Sequence, residues 1–183
     1  LMKESAESLL FVMILGIFVA YMVLATQYNS FIDPVTVLMA LPFSVTGALA
    51  ALRLTHLSLN MYSMIGMILL MGIVKKNSIL LVDFTNERRR HGLGVRAALL
   101  EACPIRLRPI LMTTAATIAG ALPEALARGA GSELMVPMAV TIIGGLLVST
   151  VLTLLVVPCF YEVMSSWENR RSDEELKEAL REL

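Results

Sequence analysis

The residues best placed to do chemistry are Lys75, Lys76 and Asn77, which interrupt an apolar run long enough to span a membrane. Met67-Ile-Leu-Leu-Met-Gly-Ile-Val74 precedes them, and Ser78-Ile-Leu-Leu-Val82 follows. A lysine at the centre of a bilayer costs about 2.5–3.5 kcal/mol on insertion scales. A partner charge, a water-filled cavity or snorkelling to the interface normally offsets that cost. Snorkelling falls short here, because the helix end near Asp83 is about eight residues, or ~12 Å, away. The chemistry this allows is an ion pair that forms and breaks as an intramembrane carboxylate loses and takes a proton. Adjacent helical residues point ~100° apart, so Lys75 and Lys76 cannot both face one partner. One is expected to face the bundle interior and the other to reach toward water. The competing reading is structural: polar residues that only hold helices together.

No carboxylate in this sequence suits that lysine. Asp83 lies on the same helix at its end and reads as an interfacial residue near Arg106 or Arg108. The acids are therefore expected from helices outside this chain. A second polar set opens a later helix: Arg106-Leu-Arg-Pro109-Ile-Leu-Met-Thr113. The arginines fix it at one membrane face, and Pro109 suits a first helical turn. Thr113 and Thr117 share a face, where hydroxyls bond between helices or carry water; most membrane threonines are structural.

Other chemistries find no support. His56 and His91 are far apart in expected loops, and Cys103 and Cys159 show no paired spacing, so neither a metal site nor a disulfide scaffold is indicated. The twelve methionines read as adaptable packing, since none clusters with histidine or cysteine. No nucleophile–base pair, metal triad or phosphate loop points to an enzyme, and no cofactor is implied. Net charge is zero, which gives no argument for nucleic acid.

The elements that must position these residues follow from composition. The chain is 57% apolar, with a mean hydropathy of +0.75. A soluble core cannot hide so much apolar surface, whereas a bilayer accepts it on the outside. Hydrocarbon also forces helix, because open strand edges stay unsatisfied there. The expected fold is thus all-α and integral to the membrane. Five spans lie near residues 8–26, 35–52, 62–82, 110–127 and 134–161, within a bundle over 1–165 and a tail over 166–183. Turn residues mark connections at 27–34, 53–60 and 128–132, with a longer basic loop at 86–108. Pro42 should kink the second span.

Two short helices are expected outside the bilayer, one over 95–103 resting Leu99 and Ala102 on the interface, the other over 173–182. Small residues at Ala116 and Gly120, and at Gly145 and Ser149, allow close helix approach. Phe160, Tyr161 and Trp167 read as one aromatic anchor, Tyr28 and Phe31 as another. Ten Lys and Arg residues lie on one side, from Arg88 to Arg181, against Lys3, Arg53 and Arg128 on the other. That bias puts the C-terminus in the cytoplasm. The first apolar run is too long for a signal peptide, and the chain reads as a piece of something longer.

Several of these motifs resemble one family. Gly72-Ile-Val-Lys-Lys-Asn-Ser-Ile-Leu-Leu-Val-Asp83-Phe84 is similar to the tenth transmembrane helix of resistance-nodulation-division transporters. Arg106 to Thr113 resembles the start of their eleventh. Gly129-Ala-Gly131-Ser132, Gly144-Gly145 and Val156-Val-Pro158 resemble the following loop and the twelfth helix. Gln27-Tyr-Asn-Ser-Phe31 with Pro34 resembles the turn after the eighth. The wording is nearest the hydrophobe and amphiphile (multidrug) branch. The resemblance implies a homotrimeric inner-membrane pump that exports amphiphilic drugs in exchange for protons, with a periplasmic adaptor and an outer-membrane channel. It implies that Lys76 is the relay lysine, Thr113 the relay threonine and Arg106 the associated cytoplasmic arginine. Lys75 has no role in the pattern, and the proton-binding aspartates and periplasmic substrate domains lie outside this chain. Two alternatives stay open: a non-transporting helical bundle, or a lipid- or sterol-related member of the superfamily.

Overall fold

The computed structural model describes the backbone of residues 2–28, 30–129 and 131–181, and the side chains of 7–28, 30–129 and 131–165. Among these residues the fold is all helix: α1 Met2–Tyr28, α2 Ile32–Leu38, α3 Ala40–Leu54, α4 Met61–Arg90, α5 Val95–Ala125 and α6 Ser132–Arg181. Four stretches are long and apolar enough to cross a membrane: Glu7–Tyr28, Ile32–Leu54, Met61–Arg90 and Ser132–Ser165. The fifth expected span, 110–127, falls on the second half of α5, which ends at Ala125 and is not among those four; its first half carries Arg96, Glu101, Arg106 and Arg108.

The second span is α2 and α3 in series, and Met39 between them keeps helical dihedrals and bonds the Val35 carbonyl at 3.0 Å. Pro42 offers no N–H to the Leu38 carbonyl, and its ring crowds that group, so the irregularity lies on the N-terminal side of the proline. After the turn at His56, which holds a φ of +56°, α4 starts at a reciprocal cap. Asn60 Oδ1 accepts from the Ser63 N–H at 2.9 Å, while Ser63 Oγ accepts from the Asn60 N–H at 2.9 Å. Two otherwise orphaned donors are satisfied at once.

The long basic loop expected over 86–108 is mostly helix. Helix α4 runs on to Arg90, and only residues 91–94 separate it from α5. Arg88, Arg89 and Arg90 suit a helix C-terminus, where the backbone dipole is negative. Gly92, at φ +89°, makes the turn. The separate short helix expected over 95–103 is the first part of α5, which continues through Pro104 and Pro109. Pro109 therefore sits mid-helix and not in a first turn. Leu99 and Ala102 are buried in the protein rather than resting on the bilayer surface. The helix expected over 173–182 is likewise continuous with α6 through Arg181.

Helix α6 is the hub, touching α2, α3, α4 and α5; among the described residues α1 meets α2 and α4. Close packing at the hub rests on glycine. A Cβ on Gly145 would lie 2.1 Å from Leu70 Cδ2 and 2.9 Å from the Ser44 carbonyl oxygen; one on Gly144 would lie 2.1 Å from Ala51 Cβ. The small pair at Gly145 and Ser149 thus does what its spacing implies, both residues being buried. The pair at Ala116 and Gly120 does not: both are exposed, and a Cβ on Gly120 would meet nothing within 4 Å.

Candidate functional site

Helix α4 has two faces, and they sort the polar residues. Val74, Asn77, Ser78, Leu81, Val82 and Thr85 are buried. Lys76 is exposed, and so are Leu69, Gly72, Asp83 and Glu87. Those exposed positions recur at intervals of three, four and seven residues, so they form one stripe along the helix. At ~100° per residue, Thr85 and Met67 point about 180° away from Lys76, and both are buried. The stripe is therefore the side of α4 turned away from α3 and α6.

Among the described residues neither lysine is buried: Lys76 is exposed and Lys75 half-buried. The interior positions beside them belong to Asn77 and Ser78, at 7% and 0% exposure. Helices α4 and α6 approach closely at Gly66, where a Cβ would lie 3.0 Å from the Met138 carbonyl oxygen. Among the described residues, the ion pair present is Arg88 Nη1 to Glu101 Oε1 at 3.2 Å; no carboxylate there pairs with Lys76.

Arg106 is fixed against α4. Its guanidinium lies 4.5 Å from the centroid of the Phe84 ring, and that of Arg88 lies 5.0 Å from the same centroid. Two cations thus share one aromatic ring, each attracted by the ring quadrupole. Arg106 Nε is buried with no hydrogen-bond partner, so the Phe84 face is its main compensation. Asp83, the residue expected beside it, is exposed on the stripe.

Thr113 is exposed on α5, its hydroxyl donating to the Ile110 carbonyl at 3.0 Å. Thr117 donates to the Thr113 carbonyl at 2.8 Å. Neither bonds another helix. The bond across helices belongs to Thr114, whose Oγ1 lies 3.2 Å from Thr150 Oγ1 of α6. Thr150 donates its own proton to the Leu146 carbonyl at 2.7 Å, so Thr114 is the donor between them. Lys76 and Thr113 thus occupy exposed positions on different helices, while Arg106 bridges those helices through Phe84.

Sequence reasoning missed a second polar set, at the arginine-rich end of the bundle. Asn86 Nδ2 donates to Asp33 Oδ2 at 2.7 Å. The Tyr161 hydroxyl donates to Asn86 Oδ1 and accepts from Arg89 Nη1 at 2.9 Å. Tyr161 is 2% exposed, so it is no lipid-facing anchor; its ring packs in the core. Phe31, in contrast, is 78% exposed, and the Trp167 side chain lies outside the described residues. The one sequence signal for this set was a carboxylate and an amide next to turns, which turn chemistry alone explains equally well. His56 and His91 are both exposed in connections, and the described residues hold no group of three His, Cys, Asp or Glu placed to bind a metal.

Similarity to known proteins covers nearly all of this architecture. The family model of the AcrB/AcrD/AcrF family matches residues 2–165. The multidrug resistance protein MdtC of Edwardsiella ictaluri (strain 93-146) is 46% identical over 174 residues, 94% of this chain and 17% of that protein. The protein of the same name from Escherichia coli (strain UTI89 / UPEC) is 45% identical over 160 residues, 87% of this chain and 16% of that protein. Among solved structures, a heavy metal efflux pump (crystal form II) superposes with a TM-score of 0.81 at 30% identity, covering 90% of this chain and 17% of that one. The chain thus spans about a sixth of the length of the curated relatives it matches.

Proposed function

Because the chain belongs to the AcrB/AcrD/AcrF family of resistance-nodulation-division efflux transporters, we propose that it supplies the lysine side of a proton relay in a drug/proton antiporter. The observation that carries this is Lys76, exposed on a continuous stripe of α4 with no carboxylate partner among the described residues. A lysine at mid-span requires compensation, and the stripe leaves room for another helix to bring it. In the mechanism, a carboxylate on that helix pairs with Lys76 when ionised. Taking a proton neutralises the acid and releases Lys76, and the helices repack toward the arrangement that the free lysine favours. Thr113, exposed on the neighbouring helix, offers a hydroxyl to the proton path. Arg106, held on Phe84, anchors the arginine-rich end of α5 to α4. Sequence bias in Lys and Arg puts that end, and the C-terminus, in the cytoplasm.

On this reading the complete protein is a homotrimer of the bacterial inner membrane that moves amphiphilic drugs. It works with a periplasmic adaptor and an outer-membrane channel, and the drug contacts lie outside this chain. The test is Lys76→Ala in the complete protein, scored by proton-gradient-dependent dye efflux. Efflux should vanish while expression and trimer assembly persist, and Lys75→Ala should keep efflux. Continued efflux by Lys76→Ala, or loss of assembly as the cause of its failure, would sink the reading.

A further inference from the structure

The Asp33, Asn86, Tyr161 and Arg89 side chains form one directed chain of hydrogen bonds across three helices. Every donor points the same way, from the Arg89 guanidinium through the Tyr161 hydroxyl and the Asn86 amide to the Asp33 carboxylate. Each bond polarises the next, and low local dielectric strengthens them all. Asp33 and Tyr161 are 8% and 2% exposed, so the Tyr161 end of the chain is shielded from water, while Asp33, Asn86 and Arg89 border an open cavity. The Arg89 guanidinium also lies 5.8 Å from the Tyr161 ring centroid. Nearby, the Tyr28 hydroxyl donates to the Ile79 carbonyl of α4 at 3.3 Å.

We propose that this chain is a positioning clasp, in which Asn86 sets the rotation of α4 about its axis and thereby aims Lys76. The inference rests on the relay reading of Lys76 given above. Asn86 lies ten residues beyond Lys76, about 15 Å along the helix and ~80° around it. A helix turns as a body, so fixing one position fixes the other. Around Lys76, α4 is held mainly by van der Waals contact, such as Leu70 at Gly145, with the Tyr28 hydroxyl on the Ile79 carbonyl; its other polar ties, Arg106 on Phe84 and Arg88 to Glu101, run through long arginine side chains. Van der Waals contacts resist separation more than rotation, whereas a bifunctional amide bonded on both sides admits one setting. The lever is long: with the lysine ammonium ~8 Å from the axis, a rotation of about 20° moves it ~3 Å. That displacement separates a contacting ion pair from a broken one.

The experiment uses the complete transporter and measures turnover and apparent KM for dye efflux. The double variant Asp33→Leu with Asn86→Leu removes both partners of the α2–α4 bond, while the Tyr161 hydroxyl keeps its bond from Arg89; apolar replacement of paired buried polar groups preserves folding in other proteins. Turnover should fall roughly tenfold, with KM, expression and trimer content unchanged. Asp33→Asn keeps an acceptor for Asn86 and should recover turnover to within about twofold of the parent. Its extra amide borders a cavity of about 500 Å³ lined also by Arg89 and Arg90, where water can reach it. Parental turnover in the double variant, with Lys76→Ala inactive, overturns the clasp alone. Asp33→Asn as slow as the double variant overturns it too, since charge and not hydrogen bonding would then matter. An active Lys76→Ala instead removes the relay reading, and this inference with it.

Discussion

Thr114 of α5 donates to Thr150 of α6 across 3.2 Å, while its neighbour Thr113 bonds only its own helix. On the relay reading proposed above, the two threonines separate stability from transport. Thr114→Val keeps the shape and loses one bond between helices, and Thr150 retains its bond to Leu146. The expected cost is about 0.5–1 kcal/mol, seen as a lower unfolding temperature in detergent with efflux largely kept. Thr113→Val should change stability by less than about 0.5 kcal/mol and depress efflux. The reverse pattern would move the relay role away from Thr113.

Phe84 carries two guanidinium groups, and Arg106 depends on it more than Arg88 does. Arg88 also pairs with Glu101, in a bridge between partly exposed groups. Phe84→Leu should destabilise by about 1–2 kcal/mol, and Glu101→Gln by well under 1 kcal/mol. A double-mutant cycle between Phe84 and Arg106 should give a larger coupling than one between Arg88 and Glu101. Equal couplings would mean that the ring is mere filler.

Glycine at 145 is required by packing and glycine at 120 is not. Gly145→Ala forces a methyl against Leu70 and the Ser44 carbonyl, and overpacking of that kind costs about 1–3 kcal/mol. Gly120→Ala meets nothing within 4 Å, and its helix preference should make it neutral or stabilising by up to ~1 kcal/mol. Thermal unfolding of the two variants side by side is sufficient; an unaffected Gly145→Ala would contradict the close approach.

Burial pushes the Cys103 thiol above its ordinary pKa, with nearby Cys159 adding to the shift. A raised value leaves less thiolate at neutral pH, and the thiolate is the reactive form. Cys103 should react with a maleimide more slowly than a free thiol at pH 7.5, and its rate should still be climbing where the free thiol has levelled off. On the stability side, the unfolded chain ionises first as pH rises, so this thiol favours the fold at neutral pH and less in alkali. A plateau at the same pH as the free thiol would show that Cys103 is open to water.

Helix as the sole element was legible because hydrocarbon length and hydrocarbon solvent leave no other choice, and turn residues such as Gly129 and Gly131 marked their connection correctly. Helix ends were harder. Charge marks where apolarity stops, but a helix does not stop with it: Arg88, Arg89 and Arg90 prolong α4, and Pro104 and Pro109 fail to end α5. Lys76 stands out by residue type, because a charge among apolar neighbours is conspicuous. Asn86 and Tyr161 do not, since an amide near a turn and a tyrosine near a helix end have ordinary readings on their own. Their meaning arises only when α2, α4 and α6 converge, a long-range fact that no local window contains.

The four-residue turn between α4 and α5 has a consequence for how the two helices can move. With residues 91–94 alone between them, and Arg106 of α5 seated on Phe84 of α4, a shift of α4 along its axis draws the start of α5 with it. One tight turn thus makes the two helices a mechanical pair, so that strain applied to one is shared by the other.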